Sequence, residues 1–438
     1  MDAVREYHDL LFAADARAEA EALAEGFRQA GILFDGAPMP SFLRPHFVTR
    51  AEWNALRGDG VRLLELAARV ARRAFGGDAR KLCAWLGTPP EQAEWVAVDP
   101  GEPDVVLSRL DAFLTPQGPR YIEINSDAPA GFGYGDAMAE VFRTLPTFQR
   151  FARTHTLHYA PCADALIDAV RAATDSRSPT VAIVDWHEVK TRPDQEILRE
   201  RFEGKGLRCR LADPREAAIV GGRLLFEGAH VDVVYRRVLL TELVERAPEV
   251  ATFLAAYRWG LAAFVNSFRC HLSEDKAFLA FLTDEAFASL LTADERAFVA
   301  RVVPWTRKVE ERATDHAGEK VDLLPWVVRH REELVLKPAH DYGGRSVFIG
   351  EETEPAAWEA AVNAAVSGSW VVQERVPISR EPFPVVRDDG RLTLEELYLN
   401  ANPFYVRGGE TGGVTRVSRR AVINVSAGGG GVPTFVVE

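Results

Sequence analysis

The sequence predicts a mixed α/β protein, α+β in the arrangement of its parts, with two or three domains. Three observations carry that prediction. The chain has 438 residues, more than one ordinary core accommodates. Its first hundred residues are rich in helix formers. From about Pro179 short apolar runs alternate with helical stretches, beginning with Val181-Ala182-Ile183-Val184-Asp185.

Taken in order, residues near 14–30, beginning with the helix formers Ala14 to Leu23, predict a surface helix that Gly31 closes. After a loop holding Pro38, Pro40 and Pro45 come two more helical stretches, Arg50 to Arg57 and Val61 to Phe75. This region, 1–104, carries no chemical cluster and reads as a cap or support.

The next stretch is different. Ser108-Arg109-Leu110-Asp111-Ala112-Phe113-Leu114 and Arg120-Tyr121-Ile122-Glu123-Ile124-Asn125 flank Thr115-Pro116-Gln117-Gly118-Pro119 and predict a β-hairpin. If it is symmetric about Gln117, Asp111 faces Glu123 and Arg109 faces Asn125, all on one face. Two carboxylates about 5 Å apart repel by roughly 3 kcal/mol at an effective dielectric near 20. Arg109 alone can neutralise such a face. The alternative is a cation, since Asp, Glu and Asn offer the hard oxygen ligands that suit Mg2+. The glycines that follow, Gly131, Gly133 and Gly135, do not have dinucleotide spacing and predict a loop presenting Asp127 to the same site.

Beyond residue 179, strands at Val181–Asp185, Arg208–Leu211 and Val231–Arg237, a helix over Gln195–Phe202 and a tight turn at Glu227-Gly228 predict a small open parallel sheet. Arg236 and Arg237 fall at a strand's C-terminal end, where such sheets bind ligands. They read as anion anchors or as a solvated strand end. Residues 247–330 read as helical.

Lys337 then ends a strand that runs into His340-Asp341-Tyr342-Gly343-Gly344-Arg345-Ser346, a glycine loop able to cradle phosphate or simply to turn a hairpin. Trp370-Val371-Val372-Gln373-Glu374-Arg375-Val376 reads as a core strand whose end can also offer the donor and acceptor that an adenine edge needs. Strands flank the glycines at 428–431, which predicts an ordered loop.

Together these pieces resemble the ATP-grasp superfamily of carboxylate-amine ligases, over roughly residues 105–438. The Arg-x-Asp and Glu-x-Asn motif at Arg109 to Asn125 precedes the nucleotide-binding elements instead of following them. That order resembles the circularly permuted branch, which includes eukaryotic-type glutathione synthetases and the synthetase part of glutathionylspermidine synthetase. The resemblance implies four regions: the helical 1–104, a permuted metal-binding segment at 105–160, an α/β pre-ATP-grasp substrate domain at 161–265, and the ATP-grasp nucleotide domain at 266–438. It further implies ATP and Mg2+ as cofactors, with metal ligands drawn from Asp111, Glu123, Asn125 and Asp341, where Asp111 and Asp341 compete for the third place. Nucleotide contacts are implied for Lys276, Lys337, Gly343, Gly344, Ser346, Gln373, Glu374, Val376 and Asn424, and charge stabilisation for Arg109 and Arg416. Amide formation between a small carboxylate and an amine, on an amino acid or short peptide, is the implied reaction, with Arg236, Arg237 and Arg345 as possible carboxylate anchors. A kinase on the same fold and a non-catalytic nucleotide-binding protein are the alternatives.

Composition agrees. With 47% hydrophobic residues the chain can bury a sizeable core, and its net charge of -12 argues against nucleic acid or an anionic membrane as partner. An anionic ligand then needs locally concentrated positive charge. No run of about eighteen apolar residues occurs and the N-terminus does not read as a signal peptide, so a cytoplasmic protein is expected. Cys83, Cys162, Cys209 and Cys270 show no paired spacing and read as buried thiols, Cys270-His271 included. Oligomeric state is open.

Overall fold

The computed structural model describes residues 2–99, 105–340, 346–423 and 429–438. Three sheets position the site. The largest runs in the order His46–Thr49, Gly430–Val437, Gly413–Ser418, Leu392–Val406, Leu107–Thr115 and Gly118–Asn125, with Arg380–Val386 and Leu157–His158 pairing at its margins. The second is parallel, in the order Arg208–Ala212, Thr180–Val184, Val233–Arg236 and Ala263–Val265, as the apolar runs predict. The third is antiparallel: Thr306–Lys308, Trp370–Glu374, Leu334–Pro338 and Phe348–Ile349.

The N-terminal region does more than cap. His46–Thr49 lies parallel to Gly430–Val437, with Phe47 opposite Phe435, so early residues form one edge of the largest sheet. From Thr49, which makes a capping box with Glu52, one 26-residue helix runs from Arg50 to Phe75 where the sequence predicts two. Gly58 and Gly60 do not interrupt it. A Cβ on Gly60 would overlap the Tyr405 hydroxyl, which donates to the Leu56 carbonyl at 2.9 Å. Gly60 is there to let helix and sheet approach.

Other expectations change in the same way. Gly133 and Gly135 lie inside the helix Phe132–Thr144 rather than in a loop. A Cβ on Gly133 would come within 2.5 Å of the Asp194 carbonyl. The stretch 247–330 holds strand Thr306–Lys308 and the hairpin Ala313–His316 with Glu319–Asp322 among its helices. Its turn uses positive φ at Ala317 and Gly318, a signal that periodicity does not carry. The Glu227-Gly228 turn is as predicted, with positive φ at both residues.

Candidate functional site

Asp111 does face Glu123, and Arg109 faces Asn125. The cause differs from a symmetric turn at Gln117. A two-residue turn at Pro116-Gln117 is followed by a β-bulge that inserts Ile122 between Tyr121 and Glu123 and restores the pairing. The bulge also frees the Ile122 carbonyl to accept from Lys337 Nζ at 3.3 Å.

Asp111 is buried among cations. Its Oδ1 accepts from Arg109 Nε at 3.2 Å and from Asn125 Nδ2 at 3.1 Å; its Oδ2 accepts from Arg416 Nη1 at 3.2 Å. Burial alone would raise its pKa, yet Arg416 and Arg109 outweigh that and hold the carboxyl below its ordinary range. Arg416 arrives from Gly413–Ser418, across Leu392–Val406, where Asn400 pairs with it. Asn125 Nδ2 also donates to the Arg109 carbonyl at 3.2 Å. Both partners of that nitrogen are acceptors, which turns Asn125 Oδ1 the other way.

Two lysines from separate elements end on consecutive residues of one strand. Lys276 Nζ lies 3.2 Å from Glu123 Oε1, while Lys337 meets the Ile122 carbonyl. The Lys276 amide donates to the Ala339 carbonyl at 3.1 Å, two residues beyond Lys337, and this holds them together. Burial tends to lower the Lys276 pKa but Glu123 reverses it upward. For Lys337 burial dominates over Glu123, and with Lys276 nearby the ammonium falls to about 8. On this face Arg109, Arg416, Lys276 and Lys337 confront two carboxylates, Asp111 and Glu123; Glu274 and Asp275, which also act on Lys276, are pushed up by burial to about 7. The site therefore concentrates positive charge in a chain of net charge -12.

In the strand Trp370–Glu374, whose end is expected to offer an adenine edge, the polar side chains of Gln373 and Glu374 each have a partner within the fold. Gln373 is buried; its Oε1 accepts from Lys337 Nζ at 2.7 Å and its Nε2 donates to Thr306 Oγ1 at 2.9 Å. It positions the lysine. Glu374 lies 3.0 Å from His316 Nε2, and its amide donates to the Trp305 carbonyl. The Arg375 amide is used by the Glu333 carbonyl, leaving buried Val376 as the next amide along. Ser346 is exposed with φ of 60°. Asp341, Gly343, Gly344, Arg345 and Asn424 lie outside the described residues.

Arg236 and Arg237 are neither anchors nor solvated. Arg236 Nη1 lies 2.6 Å from Asp127 Oδ1 and Arg237 Nη1 donates to Asp194 Oδ2 at 2.9 Å, each pair at most 2% exposed. Asp127, expected to face the site, is spent on Arg236, on His271 and on the Leu240 amide. Asp194 accepts from the Gly131 and Tyr134 amides, which starts the helix there. The Arg236–Asp127 pair ties the parallel sheet to the segment after the hairpin directly, and Arg237 does so through Asp194, which lies on the helix Arg192–Gly204. Cys270 Sγ packs 2.9 Å from Arg236 Nη2, as a buried thiol.

Two further residues were not singled out from sequence. Asn266 accepts from the Val106 and Leu107 amides and donates to the Leu107 and Ser126 carbonyls, gripping both ends of the hairpin. Glu274 accepts from the Ser126 and Asp127 amides; burial lifts its pKa to about 7. Glu274 precedes the Asp275-Lys276 pair the sequence marks, whereas nothing distinguishes a lone Asn266.

Comparison with known proteins gives the family and a likeness of fold. The family model of circularly permuted ATP-grasp type 2 matches residues 99–418. An uncharacterized protein of Mycobacterium leprae is 25% identical over 462 residues, spanning 97% of this chain and 78% of the relative. One from Synechocystis is 25% identical over 257 residues, 54% of this chain and 50% of its own. A glutathione synthetase-like effector from Globodera pallida, solved in its apoform, superposes with a TM-score of 0.58 at 12% identity over 96% of this chain and 97% of its own, which is a likeness of fold. With the family match covering most of its length, the chain belongs to the circularly permuted ATP-grasp type 2 family.

Proposed function

We propose that the protein is an ATP- and Mg2+-dependent ligase that joins a small carboxylate, an amino acid or short peptide, to an amine through an acylphosphate. The observation that carries this reading is the surplus of cations over carboxylates on one sheet face. In that arrangement Lys276 and Lys337 bind phosphate oxygens, and Lys337, pulled to about 8, becomes fully charged when a polyphosphate approaches. Arg109 and Arg416 share a carboxylate and offset the charge that develops as phosphoryl is transferred and the acyl centre becomes tetrahedral. Val376 is the amide that remains for the base, with Ser346, Gly343 and Gly344 closing over the phosphates and Asn424 joining from the C-terminal segment.

Glu123 and the outward oxygen of Asn125 suit a hard cation that also takes phosphate oxygens, and Asp111 is already bonded to two guanidiniums. This favours Asp341 as the further carboxylate. Among the described residues no three His, Cys, Asp or Glu side chains form a group that could hold a metal ion. When bound, Mg2+ neutralises phosphate charge and aligns the transferred group. The region boundaries at residues 104, 160 and 265 belong to the same proposal, as does a cytoplasmic setting.

The test is ADP release from the purified protein with Mg-ATP, screened against pairs of amino acids and polyamines. Release of ADP and phosphate that requires both an acid and an amine, with amide product, is the expected result. A stable phosphorylated acid without amide would replace ligation by phosphotransfer, and no release with any pair would remove the enzyme reading.

A further inference from the structure

Glu123 is at once a carboxylate that suits a hard cation and the partner of an ammonium. Its Oε1 lies 3.2 Å from Lys276 Nζ, and among the described residues no other cation reaches ion-pair distance of it. The neighbouring acid on this face is equally engaged, since Asp111 accepts from Arg109, Arg416 and Asn125. Both hairpin carboxylates therefore already meet charges of the chain. The two lysines are held differently. Lys337 Nζ is fixed by two acceptors, the Ile122 carbonyl at 3.3 Å and Gln373 Oε1 at 2.7 Å, and Gln373 is itself bonded to Thr306. Lys276 has its backbone fixed, through the bond from its amide to the Ala339 carbonyl, while its ammonium reaches Glu123 on a flexible four-carbon stem. Glu274 and Asp275 also act on that ammonium.

We propose that Lys276 closes Glu123 to metal in the free protein and releases it to a polyphosphate, so that a divalent cation joins this face only together with a nucleotide. The proposal rests on the nucleotide and metal part of the reading above. Contact is the first argument: Glu123 Oε1, an oxygen of the acid best placed for a hard cation, faces an ammonium instead. Charge is the second. The Lys276 and Glu123 side chains are only 10% and 25% exposed, and a dication beside an ammonium that has not moved is repelled strongly where water is scarce. Arg109 and Arg416 on the same face add to that repulsion. Exchange is the third. A phosphate oxygen offers Lys276 an anionic acceptor in place of the carboxylate, and Glu123 with the outward oxygen of Asn125 is then open. Lys337, bonded to neutral acceptors, does not compete for Glu123. Lys276 thus couples two ligands, and by linkage each tightens the other by the same factor.

The test follows Mn2+ by electron paramagnetic resonance with full-length protein at neutral pH, with and without AMP-PNP, taking Mn2+ with AMP-PNP alone as the blank. The expected result is little binding of Mn2+ to the free chain and a protein-bound Mn2+ signal once AMP-PNP is present. Lys276→Met should bind Mn2+ without nucleotide at least about tenfold more tightly than the unmodified chain. Lys337→Met, which removes the same charge from the same face, should not, and Glu123→Gln added to Lys276→Met should abolish the gain. Mn2+ binding to the free unmodified chain as tightly as with AMP-PNP overturns the proposal, and this comparison holds even if a variant folds poorly. No gain in Lys276→Met, or an equal gain in both lysine variants, overturns it too. ADP release by a chain that already holds Mn2+ without nucleotide removes the exchange and keeps the ligase. Coupled binding of Mn2+ and AMP-PNP without ADP release from any acid and amine keeps the exchange and removes the ligase.

Discussion

Two regions use the same residue types to opposite ends. At the ends of the parallel sheet, Arg236 with Asp127 and Arg237 with Asp194 are matched one to one and sealed from solvent. On the hairpin face Asp111 holds two arginines, Glu123 one lysine, and a second lysine sits on a carbonyl and an amide oxygen. Matched pairs hold a fold together; an unmatched excess of one sign binds something of the other. The contrast also separates two meanings of an arginine at a strand end, which the sequence presents alike.

The largest expected effect lies in the matched region. Arg236→Met leaves Asp127 buried without its partner and should cost about 3–5 kcal/mol of stability, read by urea unfolding; a loss below about 1 kcal/mol would make the pair ornamental. Lys337→Met should do the reverse, changing stability by less than about 1 kcal/mol because a desolvated ammonium is removed, while weakening Mg-ATP binding about 10- to 100-fold by calorimetry. Unchanged affinity would return the segment after Lys337 to a structural hairpin. Glu123→Gln should raise the Mg2+ needed for ADP release at least about tenfold with the melting temperature little altered.

A pH series sharpens the same comparison. Lys337 has a folded pKa of about 8, below its unfolded value of about 10.4, so between these values the unfolded chain binds more protons and stability rises with pH. The rise, on the order of 1–3 kcal/mol, should appear in the unmodified chain and vanish in Lys337→Met. The long helix gives two effects of opposite sign. Gly60→Ala, forced against Tyr405, should cost about 1–3 kcal/mol, whereas Gly58→Ala, which meets nothing within 4 Å, should gain about 0.5–1 kcal/mol.

What could be read from sequence followed local rules. The parallel strands came from short apolar runs, the hairpin and its facing pairs from period-two patterning, and Lys276 was marked only by the resemblance. What could not be read was set by distant partners. Gly60 and Gly133 look like breakers until Tyr405 and Asp194 are placed against them. Arg236 and Arg237 look exposed until Asp127 and Asp194 arrive from other elements. Gln373 reads as a plain strand residue until Lys337 lies beside it. The Asp111 register survived a wrong turn assignment only because the Ile122 bulge compensated for it.

The strand carrying Arg416 has a consequence for the order of folding. Asp111 and Arg416 meet across a sequence separation of 305 residues. The strand beside Arg416, Gly430–Val437, in turn pairs with His46–Thr49. Contacts of such long sequence separation close slowly. The hairpin and its Arg109–Asp111 pair therefore form from local contacts first, and the second arginine of Asp111 arrives only with the assembled sheet.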